Sequence, residues 1–353
     1  MGPGDEVESS AAYVSANDSE SLLVAVAAGA ANPIAGIYGP ESLSWRVNRE
    51  SALFLGAGRA ALLQLAHPWV TAALGEHSRV MNRPIARFHS TFRIVFTMIF
   101  GSLEQALAAA RHLHALHTRI RGLMQEDVAR WRRGSAYEAN EIAALRWVYA
   151  TLVESAVLAY ECALGPLTPT DREQYYAETK TLAALFGLPA AALPENWEAF
   201  AAYNRAMHDA NDGALGVSAT ARSMAHNLLR GTGSWLRVPH WYRALTVEWL
   251  PERFRREFAL EFGKAELQAA ARARENLPKI YKKLPRAVRF TGPSREAQAR
   301  LAGRRAGLLV RWSNRFWIGQ PLLLRPEKLL GAASNEGRIQ RAAPAAVRKR
   351  DTA

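Results

Sequence analysis

Apolar residues recur at helical spacing along most of this chain. Between residues 86 and 100, Phe88, Phe92, Val95 and Ile99 fall on one stripe, and Gly101 ends the segment. Because positions three and four apart share one face of an α-helix, this spacing predicts a helix that packs against a core. No stretch alternates convincingly between apolar and polar residues, so the predicted fold is all-α, in a single large multi-helix domain. The other predicted helices cover residues 50–66, 68–78, 103–124, 138–164, 170–186, 196–209 and 251–276.

The same pattern divides the chain into four regions. Residues 1–44 predict an N-terminal segment that is partly disordered, with residues 1–20 polar and a short apolar stretch that breaks at Asn32-Pro33. The helical domain is predicted to cover residues 45–292. After it, residues 293–330 predict a basic amphipathic extension and residues 331–353 a disordered basic tail.

The net charge of +13 is concentrated at the C-terminal end. Residues 293–353 hold 13 Lys or Arg and 4 Asp or Glu, and so contribute +9 of the total. A terminus such as RAAPAAVRKRDTA is typical of a solvated tail and lacks interleaved aromatic residues, so binding to nucleic acid is not expected. The stretch RRAGLLVRWSNRFW, residues 304–317, is either a surface for anionic lipid or RNA, or a docked helix whose arginines reach solvent.

Cysteine content and apolar run lengths limit the class of protein. A single cysteine, Cys162, excludes an internal disulfide framework and any metal cage built from several thiolates. The N-terminal MGPGDEVESS lacks the basic flank and apolar core of a secretory signal. The apolar stretches at 22–31 and 93–101 are shorter than the roughly 20 residues that cross a bilayer. The sequence therefore predicts a cytoplasmic location.

Three of the nine histidines lie in the segment ARHLHALHTRIRG, residues 110–122. On a helix that advances about 100° per residue, His117 falls within the apolar arc, His114 at its edge, and His112 away from it. Arg121, one turn later, shares the side of His117, so a polar pair is predicted to point into the core. A buried histidine is usually a core residue that hydrogen-bonds a carbonyl or carboxylate, but an unpaired buried arginine beside it is costly. A haem would supply iron for the imidazole and propionates for the guanidinium.

Other metal and nucleophile chemistries lack their characteristic spacing. No histidine has a glutamate three residues before it, as a di-iron bundle requires, and H-E-x-x-H, G-x-S-x-G and P-loop motifs are absent. The residues alone therefore leave a haem or no metal. Upstream, Arg87 and Thr91 are spaced to share one helix face, which is either part of a site or an ordinary surface pair.

At these residues the sequence resembles the catalytic domain of the MpaB and rubber-oxygenase (latex-clearing protein) family, an all-helical haem b oxygenase fold. The resemblance covers about residues 45 to 290, with the motifs in family order, and excludes the segment beyond about residue 300. The motifs are GAGRAALLQLAHPWVTAALGEHS, ARFHSTFRIVFTMIFGS, HTRIRG, LRWVYATLVESAVLAYE, GPLTPTDREQYYAETKTLAALFGLP and LTVEWLPERFRREFAL.

The resemblance implies roles for the histidine segment and for the helix before it. His117, in an H-x-x-x-R pattern with Arg121, would be the proximal haem ligand, and Arg87 and Thr91, in R-x-x-x-T, would lie on the distal or propionate side. The rubber-cleaving members carry a lysine just before that threonine, where this chain has Ser90. Because serine is too short to cap the iron, the sixth position is expected to be open or filled by water, and rubber cleavage does not carry over.

Two further positions complete the implied site. Where many members have histidine in W-V-H-A-T, this chain has Tyr149, whose phenol either hydrogen-bonds within the haem pocket or fills core space. Glu76 is the candidate base, on its proximity in sequence alone.

The expected function is that of a haem b-dependent oxygenase acting on an apolar small molecule, an alkene or isoprenoid-like chain, with O2 bound at the His-ligated haem. The expected partners are that substrate and O2, together with weak contact between the basic C-terminus and an anionic membrane. Two alternatives stay open. The first is a haem-binding protein without oxygenase turnover, which Ser90 permits, and the second is a helical module that docks on a membrane or nucleic acid through its basic C-terminus.

Overall fold

A computed structural model describes residues 13–77, 84–209, 213–232 and 237–327. These residues form sixteen α-helices and one two-stranded sheet, which confirms the predicted all-α fold in a single domain. The helices are α1 Ala16–Gly29, α2 Leu43–Asn48, α3 Ala57–Leu65, α4 Pro68–His77, α5 Pro84–Phe100, α6 Leu103–Thr118, α7 Ile142–Leu164, α8 Pro169–Leu185, α9 Trp197–Asp209, α10 Ala219–Arg230, α11 His240–Glu248, α12 Glu252–Glu257, α13 Lys264–Tyr281, α14 Arg286–Arg289, α15 Gly292–Leu301 and α16 Leu308–Ile318. Short 3-10 helices cover Ser51–Leu55 and Ala190–Ala192.

The N-terminal segment is helical from residue 16, within the stretch whose polar composition indicated disorder. Ser15 caps α1, since its hydroxyl accepts from the Asp18 amide at 3.1 Å and the Asp18 carboxylate accepts from the Ser15 amide at 3.1 Å. This reciprocal pairing satisfies amides that the first helical turn leaves without partners. Leu23 is buried, and α1 packs against α6 and α8, so this segment is part of the domain. Residues 1–12 and the predicted tail at 331–353 lie outside the described residues.

The core is assembled around α5, α6 and α7. Trp45 meets Phe100 edge to face at 5.1 Å, and Phe54 contacts Phe88 and Phe92 of the predicted stripe at 5.3 and 4.7 Å between ring centroids. Ile99, at the end of that stripe, is buried in the same cluster. The apolar face that the spacing predicted on α5 is therefore a core face.

Helix α7 is the long core helix of the fold. Among the described residues it is the one helix whose length and composition suffice to cross a membrane, but 61% of its most apolar window is buried by the rest of the chain. It packs against α3, α8 and α13. The apolar side chains of α7 are thus buried against neighbouring helices, as expected of a core helix in a large helical domain.

Helices α5 and α6 form an antiparallel hairpin that turns at Gly101-Ser102. The turn is held by the N-terminal segment, because the Leu103 amide donates to Pro33 O at 2.8 Å and Gly36 lies against the Gly101 carbonyl. With φ at +95°, Gly36 adopts a conformation that favours glycine, and a Cβ there would collide with that carbonyl. At about 1.5 Å per residue, the opposite ends of both helices lie about 20 Å from the turn.

The predicted helix over residues 103–124 is too long, and its last residues form a short strand instead. Helix α6 ends at Thr118, where the Ile120 amide closes the last turn on His117 O at 2.9 Å. Strand β1, Arg121–Leu123, then pairs antiparallel with strand β2, Ala136–Glu138. Strands of three residues are too short for an alternating pattern to be visible in the sequence.

Several other boundaries differ from the predictions. The segment 50–66 divides at Gly56 into a 3-10 helix and α3, and 251–276 divides into α12 and α13. Helices α10 and α11 were not predicted. At Gly56 an added Cβ would collide with Ser155 O, so the break brings the chain close to α7.

The basic amphipathic extension is packed onto the domain. Helices α15 and α16 contact α5, and Trp317 stacks on Phe54 with ring centroids 4.0 Å apart. The Arg93 Nε donates to Ile318 O at 3.1 Å. The described part of the extension is therefore a structural cover for the α5 side of the core.

Candidate functional site

His117 lies in the last turn of α6 and is partly buried. Burial lowers the pKa of its imidazole to about 4, and the nearby His114 acts in the same direction. The ring is therefore neutral at physiological pH. Within the described part of the chain, no side chain or carbonyl hydrogen-bonds the ring. A neutral imidazole without a protein partner has a lone pair available to a metal.

Arg121 is not on the helix that carries His117. It is the first residue of β1, and it is exposed. The prediction that the two side chains point into the core from one helix face is therefore wrong, since the chain leaves the helix at Thr118 before Arg121 is reached. Arg121 still follows His117 closely, at the edge of the same region.

Glu76 meets the sheet that follows α6. Its Oε2 accepts a hydrogen bond from the Tyr137 hydroxyl of β2 at 2.7 Å. Burial, followed by this contact with the carboxylate, raises the pKa of Tyr137, so the phenol stays protonated and remains a donor. Gly122, which pairs with Tyr137 across the sheet, lies directly against both groups, and a Cβ there would be 2.7 Å from the Tyr137 hydroxyl. The glycine leaves room for this pair.

Ser90 and Thr91 lie on the N-terminal half of α5, and both are exposed. Arg87 belongs to the same helix, but its side chain lies outside the described residues. Because α5 and α6 run antiparallel from one turn, the beginning of α5 and the end of α6 share one end of the hairpin. The fold therefore brings the backbone of Arg87 and Thr91 to the end where His117 lies.

Tyr149 is a core residue of α7. Its hydroxyl lies 2.8 Å from Thr179 Oγ1, and because Thr179 itself donates to Tyr176 O at 2.7 Å, Tyr149 is the donor. Its ring is buried in the cluster between α7 and α8. These contacts match the second of the two roles expected from the sequence, which is filling core space.

An apolar cluster borders this end of the hairpin. Trp69 of α4 contacts Trp131 at 4.8 Å between ring centroids, and Ile120, two residues before Gly122, packs on the cluster. His67 is buried against the same two tryptophans. Glu76 is exposed two turns after Trp69 on α4, and it meets this cluster through Tyr137, a buried member of the cluster.

The candidate residues are a neutral imidazole on α6, a carboxylate on α4 that a phenol of β2 holds, and exposed hydroxyls on α5. No group of three or more His, Cys, Asp or Glu that could hold a bare metal ion occurs among the described residues. A haem iron takes most of its ligands from the porphyrin, so one imidazole suffices for it. The sequence analysis missed Tyr137 and Gly122, because their contact with Glu76 depends on a strand register that no local pattern reveals.

Comparison with known proteins agrees with the resemblance seen in the motifs. Neither the curated proteins nor the solved structures give a significant match to the chain. A family model described as "ER-bound oxygenase mpaB/B'/Rubber oxygenase, catalytic domain" matches residues 45–290. Since this match covers well over half of the chain, the chain belongs to the mpaB and rubber oxygenase catalytic-domain family, which is a family of oxygenases.

Proposed function

We propose that this protein is a haem b-dependent oxygenase that acts on an apolar small molecule, an alkene or isoprenoid-like chain. The observation that carries the proposal is the His117 imidazole, which is neutral, partly buried and without a hydrogen bond from the described residues. It lies in the last turn of α6, at the end of the hairpin opposite the Gly101-Ser102 turn. Membership in an oxygenase family supports the general class of reaction.

The donor set of this region fits a haem. A histidine ligates iron through a neutral ring nitrogen, and burial keeps His117 in that form. Arg121, at the start of β1, carries a guanidinium group suited to pair with a propionate, and the backbone of Arg87 lies near the start of α5. When bound, haem b would supply the redox-active iron for the reaction of O2 with the substrate.

The remaining residues have proposed roles that follow from their contacts. Glu76 accepts a proton from the substrate, and Tyr137, which donates to Oε2, fixes the orientation of the carboxylate. Thr91 is exposed, and its proposed role is to hydrogen-bond a polar atom within the site. Ser90 is short and exposed, so it leaves space where a longer side chain would reach across.

The proposed substrate class rests on the surroundings of Glu76. Tyr137, which donates to Glu76, belongs to the apolar core cluster that contains Trp69 and on which the partly buried Trp131 and Ile120 pack. Apolar surface favours a hydrocarbon over a charged ligand, because the hydrocarbon gains from leaving water.

The first experiment compares His117→Ala with His114→Ala, which removes the histidine one turn earlier on the same helix. Both variants and the wild-type protein are expressed with sufficient iron and haem precursor, and their absorbance and circular dichroism are measured. The expected result is a Soret band in wild type and His114→Ala that His117→Ala lacks while its helical content is unchanged. A wild-type protein that stays colourless after haem reconstitution would refute the cofactor assignment.

A second measurement separates turnover from haem binding alone. Oxygen consumption is followed with an isoprenoid alkene in wild type and in Glu76→Gln. We expect Glu76→Gln to keep its Soret band and to consume O2 roughly a hundredfold more slowly, as expected for loss of a general base. If wild-type protein binds haem but consumes no O2 with any alkene offered, it is a haem-binding protein without this turnover.

A further inference from the structure

Helix α16 carries four large apolar side chains on the outside. The residues and their exposed fractions are Leu308 82%, Leu309 74%, Trp312 69% and Phe316 55%. A surface helix normally turns such residues toward the core and its polar residues toward water. On α16, Trp317 and Ile318 face the core, and the four exposed apolar side chains lie together on the outer side of the helix.

The orientation of α16 is fixed by its inner face. Ser313, Asn314 and Ile318 are buried, and the Asn314 amide group donates to Pro321 O at 3.1 Å. At about 100° per residue, the four exposed apolar residues occupy an arc about 100° wide that does not overlap the buried arc. The exposed face therefore results from the packed position of the helix and not from a poorly seated one.

Arginines border this face, both on the helix itself and in the segment just before it. Arg311 and Arg315 lie along one edge of the apolar arc, and Arg304 and Arg305 come just before the helix. No Asp or Glu occurs between residues 304 and 325. The surface is thus apolar at its centre and positively charged at its border.

A cleft of about 590 Å³ adjoins the helix and extends the positive charge. It is lined by five arginines and one glutamate, together with uncharged residues. Two of the charged groups are structural, since Arg300 donates to Ile34 O and Phe100 O, and Glu296 accepts from the Leu323 amide. The guanidinium groups of Arg304, Arg305 and Arg311 donate to no acceptor in the described part of the chain. Their guanidinium groups are positioned to bind anionic oxygens.

We propose that the exposed face of α16 docks the protein on the surface of an anionic lipid bilayer. Leu308, Leu309, Trp312 and Phe316 would enter the boundary between headgroups and acyl chains, and the bordering arginines would bind lipid phosphates. This charge complementarity selects a membrane over a neutral partner. Two projecting leucines at the end of the helix favour a bilayer over RNA, because bases stack on aromatic rings and gain little from aliphatic side chains. The inference does not depend on the haem assignment.

Vesicle sedimentation with the full-length protein tests the proposal. Vesicles of phosphatidylcholine alone are compared with vesicles that also contain phosphatidylserine, for wild type, W312A/F316A and R311Q/R315Q. W241A/L267A and R272Q/R286Q serve as matched controls, because they make the same kinds of change at exposed positions elsewhere. Circular dichroism and thermal unfolding establish that each variant is folded.

Wild type and both controls are expected to sediment with anionic vesicles and to remain in solution with neutral ones. W312A/F316A is expected to partition about tenfold less, and R311Q/R315Q to lose several-fold, with an effect that shrinks as salt is raised. The basic tail is the same in every variant, so a loss in the α16 variants locates binding on this face.

Three results would overturn the proposal. The first is wild-type protein that does not sediment with anionic vesicles, which would show that the face does not bind a membrane. The second is unchanged sedimentation of the α16 variants, which would place binding elsewhere in the chain. Self-association of wild type that W312A/F316A abolishes, measured by sedimentation velocity without lipid, would make the face an interface between copies of the chain.

Discussion

His67 shows how burial sets the charge of a single residue. Its side chain is only 5% exposed, and burial, with the positive charge of Arg130 as a second cause, lowers its pKa to about 4. In the unfolded chain a histidine has a pKa near 6.5. Between these two values the unfolded state binds more protons than the folded state, so stability falls as the pH drops.

We therefore expect His67→Gln to flatten the pH dependence of stability. For wild type, the contribution of His67 is fully present above about pH 6.5 and is lost toward pH 4, with a size up to roughly 3 kcal/mol. Urea unfolding of wild type and His67→Gln at pH 7 and pH 4.5 measures the change in the free energy of unfolding between the two pH values. His240→Gln, at an exposed histidine, is the control and should keep the wild-type dependence. Equal slopes for wild type and His67→Gln would contradict the assignment.

The sequence revealed some residues of the site because they lie on one long helix. The position of His117 in an apolar arc follows from helical spacing, and its partial burial agrees with that arc. The contact between Glu76 and Tyr137 joins residues far apart in sequence across a strand register, and no local pattern carries that information. Arg121 was misplaced for the same reason, because the short strand it begins has no visible period.

At the scale of elements, helix caps decide where the helices begin. The sequence predicted most helices from apolar spacing, which depends on the core they face, and this signal is strong over long segments. Helix ends depend on a few hydrogen bonds, and polar capping residues resemble those of a loop. The polar stretch before α1 looked disordered for this reason, although Ser15 and Asp18 form a capping box within it.

Ser15→Ala is expected to destabilise the protein by about 1 kcal/mol, because it leaves amides of the first turn of α1 without an acceptor. Ser15→Thr retains the hydroxyl and should lose only a small part of this stability. Urea denaturation midpoints of the three proteins give the comparison. If alanine and threonine behave alike, the cap contributes nothing to the stability of α1.

At the scale of the whole molecule, the family domain and the extension share one core. The match ends at residue 290, yet Ile318 and Leu323 are buried in the cluster that contains Phe96 and Phe100. The extension also contacts the N-terminal half of α5, since His89 Nε2 lies 2.9 Å from Phe316 O. The sequence predicted a separate extension because this segment is more positively charged than the domain. Its inner face, however, is apolar and packs on the core of the domain.

A chain that ends at Thr291 should therefore be much less stable than a chain that ends at Glu327. Each fully buried large apolar side chain contributes about 1.5 to 3 kcal/mol, and loss of several approaches the 5 to 15 kcal/mol that stabilises a typical domain. Soluble yield and thermal unfolding of the two truncated proteins measure the effect. Similar melting temperatures would mean that the extension merely rests on the domain.

The contact between Gly36 and the Gly101 carbonyl has a mechanical consequence. It fixes the hairpin of α5 and α6 at the turn, while the imidazole of His117 lies at the other end, so a tilt of the two helices about the turn would displace the imidazole more than residues near the turn. A tilt of about 3° at the turn moves the far end by about 1 Å over the 20 Å between them. A methyl group added at Gly36 would lie far from the candidate site. A tilt of this size caused by it would still move the far end of the helices by about 1 Å, a misplacement large enough to slow a catalysed reaction.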